Sequence, residues 1–172
     1  MLRELTGLLA LSLALPAVAE LPADRFGPAD LARLADVAEP ALSPDGEHVA
    51  YSVTTTHLDA DKRTSDLWRV RFDGRERVQL TRTPEHSEWL PRWAPDGSSL
   101  AFLSDRGGEE ATTQVWLLPA SAGEARKLTD FPAGVEDYAW SPDGTRLAII
   151  ARDPERSRGA AKPKNPTPIV ID

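Results

Sequence analysis

One short string constrains this chain more than any other: Pro-Asp-Gly, preceded by Ser or Ala, returns as Ser43-Pro44-Asp45-Gly46, Ala94-Pro95-Asp96-Gly97 and Ser141-Pro142-Asp143-Gly144. Proline presets φ at the first corner of a turn, and aspartate suits the second. Glycine can then take the left-handed conformation that closes a three-residue hairpin with a bulge. The glycines at 46, 97 and 144 lie 51 and 47 residues apart, a period that points to stacked sheet units.

The repetition reaches well past the turn. Leu42, Trp93 and Trp140 share the column two places before the proline, and Val49-Ala50-Tyr51, Leu100-Ala101-Phe102 and Leu147-Ala148-Ile149 form the next strand. Asp66 to Val70 matches Gln114 to Leu118 as a third strand, and Val78 to Thr81 matches Arg126 to Thr129 as a fourth. Four of the five Trp fall in two repeated columns, leaving Trp89 outside them. Between the large strand residues stand Ala50, Ala101, Leu103, Ala148 and Ile150, so both faces of each sheet are meant to be covered. Radially packed four-stranded sheets meet that demand. The fold expected is all-β, a partial β-propeller of about two and a half four-stranded blades, preceded by a signal helix and a short lead-in helix.

The expected division is a signal peptide over 1–19, a lead-in segment over 20–38 and an incomplete propeller over 39–172, with blades at about 39–83, 88–131 and a truncated 135–172. The leader rests on Arg3, the apolar run from Leu5 to Leu15 and the small-x-small site Ala17-Val18-Ala19. That run falls well short of the roughly 20 residues needed to span a bilayer. In the lead-in, Pro28 suits a first helical turn, and Leu31, Leu34 and Val37 recur at helical spacing. After Ala151 the third unit runs into a charged, Pro-rich stretch, DPERSRGAAKPKNPTP, which reads as an exposed insertion, and then PIVID, which reads as a strand. Fewer than three blades cannot close a ring that typically needs at least four. The chain therefore reads as part of a longer protein.

Chemistry is sparse. The 172 residues hold no Cys, which removes disulfides, thiolate catalysis and Cys-ligated metal. Twenty Lys+Arg against 27 Asp+Glu give a net charge of −7, and the basic residues form no stripe, which argues against nucleic acid as a partner. There is no G-x-S-x-G string, and His48, His57 and His86 show no zinc-ligand spacing. No cofactor or metal is expected, and no catalytic residue. The column Asp45, Asp96, Asp143 reads as structural, each carboxylate bonding local backbone N–H groups beside Pro44, Pro95 or Pro142 and Gly46, Gly97 or Gly144.

The strings ADLARLADVAEPALSPDG, HVAYSV, SSLAFLSDRGG, QVWLLP, GEARKLT and AWSPDGTRLAII resemble the amino-terminal propeller of prolyl oligopeptidase family serine peptidases, of the dipeptidyl-peptidase or acylaminoacyl-peptidase type. They also resemble TolB-like periplasmic propellers. The first resemblance implies a substrate-gating propeller over a carboxy-terminal α/β-hydrolase domain, with peptides as substrates and an inactive chain when that domain is absent. It also makes Glu109 and Glu110 candidates for capturing a substrate's amino terminus, although a hairpin tip ordinarily just solvates its charges. The second implies a non-catalytic protein-binding module. Both imply a periplasmic or secreted protein with no membrane span after leader cleavage.

Overall fold

A computed structural model describes residues 27–31, 33–107, 111–121, 123–151 and 169–171. Among these, eleven strands form three antiparallel sheets. The first holds β1 (Asp36–Leu42), β2 (His48–His57), β3 (Lys62–Arg71) and β4 (Val78–Gln79), in that order. The second repeats it with β5 (Glu88–Trp93), β6 (Ser99–Ser104), β7 (Gln114–Pro119) and β8 (Arg126–Lys127). The third is β9 (Val135–Trp140), β10 (Leu147–Ala151) and β11 (Ile169–Ile171). The molecule is a partial β-propeller.

Each first hairpin closes in the same register, with Leu42 opposite Val49, Trp93 opposite Leu100 and Trp140 opposite Leu147. The loop is one residue longer than the sequence suggests. Ser43 N donates to the His48 carbonyl at 2.8 Å, so four residues lie between the partners, and Ala94 with Ser99 and Ser141 with Arg146 repeat the bond. Gly46, Gly97 and Gly144 take φ of 74°, 72° and 71°, the left-handed values the turn requires.

Third-strand register is shared too: Trp68 faces Tyr51, Trp116 faces Phe102, and Ile169 faces Ile149. The fourth strands are only two residues long, for a local reason. Leu80 N and Leu128 N still donate to the Leu67 and Val115 carbonyls. One residue on, the hydroxyls of Thr81 and Thr129 accept the backbone N–H groups of Leu67 and Val115, at 2.8 and 2.9 Å. A side chain replaces the ladder and ends the sheet.

The middle sheet is covered on both faces. Leu100, Phe102 and Leu118 pack against Ala50 and Leu67 of the first sheet, while Ala101, Leu103 and Val115 pack against Val135, Tyr138, Leu147 and Ile149 of the third. Alternation along β6 therefore serves two cores rather than a core and solvent.

The lead-in helix α1 covers only Pro28–Leu31, shorter than the spacing of Leu31, Leu34 and Val37 suggests. Val37 lies in β1, paired with Val53, and is 68% exposed. The reason is the length of β2, whose far half offers ladder partners to Asp36, Val37 and Ala38; a paired strand outweighs helical spacing. The expected leader over 1–19 and the insertion over 152–168 lie outside the described residues.

Because the strands alternate in direction, the Pro-Asp-Gly turns share one end of the molecule with the β3–β4 loops. The far ends of β2, β6 and β10 share the opposite end.

Candidate functional site

The three Pro-Asp-Gly turns sit at successive places along one rim. Asp45, Asp96 and Asp143 each accept the backbone N–H two residues on, from Glu47 at 2.9 Å, Ser98 at 2.9 Å and Thr145 at 3.1 Å. Hydroxyls of Ser43, Ser98 and Ser141 add to the same carboxylates. These bonds hold all three carboxyls below the usual range, and that of Asp143 falls to about 2, led by its bond from Ser141. The turns also nest. A Cβ on Gly97 would stand 3.8 Å from Pro44 Cδ, and one on Gly144 would stand 3.3 Å from Pro95 Cδ.

At the first turn Asp45, Glu47 and His48 offer ligand atoms within 4.8 Å of one another, the geometry a cation would need. The His48 position is Ser99 in the second sheet and Arg146 in the third, while the turn itself is unchanged. The turn thus explains Asp45 without a ligand.

A second set of residues was not legible in the sequence. The first strands β1, β5 and β9 are sheet edges, and each is broken by a bulge. At the first two bulges Glu39 and Leu90 hold φ of 56° and 55°, each just before a proline, Pro40 and Pro91. Such backbone costs about 1–3 kcal/mol and persists only where neighbours enforce it. Here they do. Glu39 Oε2 accepts Ser52 Oγ at 2.9 Å and, from the next sheet, Leu90 N at 2.7 Å. The Leu90 carbonyl in turn accepts the Tyr138 hydroxyl of the third sheet at 2.7 Å. Tyr138 is 2% exposed, and burial pushes its phenol well above the ordinary value. Arg92 lies over its ring at 5.0 Å and pairs with Asp137 at 3.0 Å. Indole N–H groups complete the hub: Trp93 donates to the Ala41 carbonyl and Trp140 to the Arg92 carbonyl. The only advance signal was the Trp column, whose purpose periodicity does not show.

A buried ion pair stands at the opposite end. Glu88 is fully buried where the other sheets hold Val37 and Val135, and its Oε1 accepts Arg106 at 2.9 Å, Ser104 at 3.2 Å and Thr83. Arg106 also stacks on Trp116 at 4.7 Å and Phe102 at 5.4 Å. Asp66, midway along β3 and accepting the Thr83 backbone N–H, is pushed above the usual carboxylate value, first by burial and then by the Glu88 charge. Near this end Trp89, the tryptophan outside both columns, lines an open cleft of about 530 Å³ with Thr112, Gly134 and Glu136. Glu109 and Glu110 lie outside the described residues.

A serine-triad hydrolase would need an exposed hydroxyl aligned with an imidazole and a carboxylate. His86 Nδ1 lies 3.6 Å from Asp105 Oδ1, but the adjacent Ser87 Oγ receives the Ser65 N–H at 3.2 Å. His57 Nε2 is bonded to Thr64 Oγ1 at 2.7 Å. Among the described residues no helix is long and apolar enough to cross a membrane.

Comparison with known proteins follows this architecture. The chain is 38% identical over 120 residues to the uncharacterized peptidase YuxL of Bacillus subtilis, a match covering 70% of this chain and 18% of that protein. It is 34% identical over 110 residues to dipeptidyl-peptidase 5 of Porphyromonas gingivalis, covering 64% and 16%. The acylaminoacyl peptidase of Pyrococcus horikoshii has a similar fold, with a TM-score of 0.61 at 20% identity over 78% of this chain and 20% of that one. The matches thus span less than a fifth of the length of these two curated relatives. Residues 33–165 match the family model of the TolB beta propeller domain, PD40, and so the repeated turns, indole-linked hub and stacked sheets are those of a member of that family.

Proposed function

We propose that this chain is the substrate-gating propeller portion of an exported serine exopeptidase of the prolyl oligopeptidase family, with the reactive residues in a carboxy-terminal α/β-hydrolase domain. The observation that carries the reading is that relatives 38% and 34% identical across the repeats are themselves named as peptidases. On this reading residues 1–19 are a leader, 20–38 a lead-in and 39–172 an incomplete propeller, and the mature protein is periplasmic or secreted. The propeller would admit peptides and exclude folded proteins, contributing shape and electrostatics rather than a nucleophile.

A second reading, a non-catalytic TolB-like module that binds envelope proteins, is favoured by the family's own description. One experiment separates them. The 172-residue chain and the product of the complete reading frame are each treated with a fluorophosphonate probe and with dipeptidyl and acyl-aminoacyl chromogenic substrates. The peptidase reading expects labelling and turnover from the complete product alone. Labelling of the 172-residue chain, or an inert complete product without a G-x-S-x-G string, would overturn it. Amino-terminal sequencing of the exported form checks the leader, with Glu20 as the expected first residue.

A further inference from the structure

The junction between the first two sheets departs from the repeat at the rim that carries the turns. Ala50 and Leu67, both fully buried, belong to the core shared with the second sheet. Alternation along β2 and β3, with Ala50 paired to Arg69, puts His48 and Arg69 on that same face and nearer the turn. At the equivalent place between the second and third sheets the two positions are Ser99 and Leu117, and the arginines lining the cleft there, Arg126 and Arg146, are exposed.

Arg69 is a half-buried cation without a carboxylate among the described residues. Its Nε is buried with no hydrogen-bond partner, and its Nη1 only reaches the Ala120 carbonyl at 3.5 Å. The acids close to it in sequence are engaged elsewhere. Asp73 pairs with Arg71 and Arg75 at 3.7 and 2.8 Å, and Asp66 accepts Gln79, Thr81 and the Thr83 N–H. A guanidinium drawn out of water without a partner is unfavourable, and a bound anion offsets that cost. Arg69 lines an open cleft of about 490 Å³ with His48, Trp93, Asp45 and Ser98. Asp45 and Ser98 are tied into their own turns, Asp45 accepting Ser43 Oγ and Glu47 N, and Ser98 donating to Asp96. Trp93 commits its N–H to the Ala41 carbonyl at 3.1 Å, which leaves its ring as apolar surface. We propose that this cleft is a binding site for a small organic carboxylate with an apolar body. Arg69 takes the carboxylate in a two-pronged bond, His48 donates a further hydrogen bond, and the body lies on Trp93. The inference does not rest on the peptidase reading, so an inert protein would leave it standing.

Isothermal titration of the 172-residue chain with N-acetylphenylalanine and with its amide tests the site. The acid should bind with a Kd of about 1 mM or lower, and the amide at least about ten-fold more weakly. Arg69→Leu installs the residue of the equivalent column, so Tm should move by no more than about 1 °C. The same variant should weaken the acid at least about ten-fold and leave the amide unchanged, with Arg69→Lys intermediate because it keeps the charge and loses the fork. His48→Ser should cost the acid about three-fold, the worth of one hydrogen bond. A third probe, N-acetyl-Ala-Ala-Phe, separates two sources of the same chemistry: binding tighter than that of N-acetylphenylalanine supports a peptide's carboxyl terminus as the ligand, and equal binding supports a free acid. Equal affinity for acid and amide would overturn the proposal, as would a folded Arg69→Leu that binds the acid as the parent does. Absence of saturable binding up to about 20 mM acid would overturn it too. Should Arg69→Leu fail to fold, the acid and amide comparison in the unaltered chain decides, together with His48→Ser.

Discussion

At the scale of single residues, the turn column separates two kinds of glycine requirement. Gly46 has open space around it, so Gly46→Ala should lose only what left-handed backbone costs an L-residue, about 1 kcal/mol. Gly144→Ala meets Pro95 Cδ at 3.3 Å as well and should lose about 1 kcal/mol more by denaturant titration. The neighbouring Asp143 makes a pH prediction. Its carboxyl is lowered from 3.8 to about 2, so its bonds contribute stability that is present in full above pH 3.8. That contribution is lost as pH falls from 3.8 through about 2. Side-chain carboxyl NMR should place the titration near 2, and Asp143→Asn should remove the pH dependence over that window. These residues were legible in the sequence because their chemistry is local: proline, aspartate and glycine act within four positions. Glu39 and Leu90 were not, because nothing within four positions dictates their backbone. It is enforced by Ser52, Tyr138 and each other, from other strands and other sheets.

At the scale of elements, strand existence followed from the repeat, but strand length did not. The string Leu-Thr reads as the end of a fourth strand, whereas Thr81 and Thr129 stop that strand by bonding the third with a hydroxyl. Thr129 is 5% exposed, and it also donates to Gln114 Oε1 at 2.8 Å. Thr129→Val should therefore leave buried polar groups without partners and cost about 1–3 kcal/mol, with Thr129→Ser restoring most of it. Thermal denaturation of the three proteins checks the order. The helical spacing of Leu31, Leu34 and Val37 misled for a related reason: periodicity reports what a segment could form alone, and the long β2 offered Val37 a partner that no local pattern contains. Packing in the middle sheet is the stiffest element-level test. Phe102, 0% exposed between two sheets, should cost about 3–5 kcal/mol on replacement by Ala.

At the scale of the molecule, coverage predicts a gradient of protection. The second sheet is packed on both faces, while the first exposes Leu42 and the third exposes Ile150. Amide hydrogen exchange should accordingly be slowest in β6 and faster in β2 and β10; β10 outlasting β6 would contradict this picture of stacked sheets. The architecture as a whole was readable because a repeat states its stacking partner in every copy. What the repeat could not disclose was the departure from itself: Glu88, charged in a column of valines, and Arg106, which compensates it from the loop that follows β6.

The placement of the connections has a consequence for how such a molecule can diversify. The nested turns at one rim are the same length in every copy, locked to one another through proline and glycine. In sequence, the residues between β2 and β3, β6 and β7, and β10 and β11 are 58–61, 105–113 and 152–168, lengthening from copy to copy while the strands they join keep their register. The turn rim behaves as a fixed gauge, so the sequence between the other strand ends can be lengthened, and new recognition written there, without retuning the spacing that the turns set.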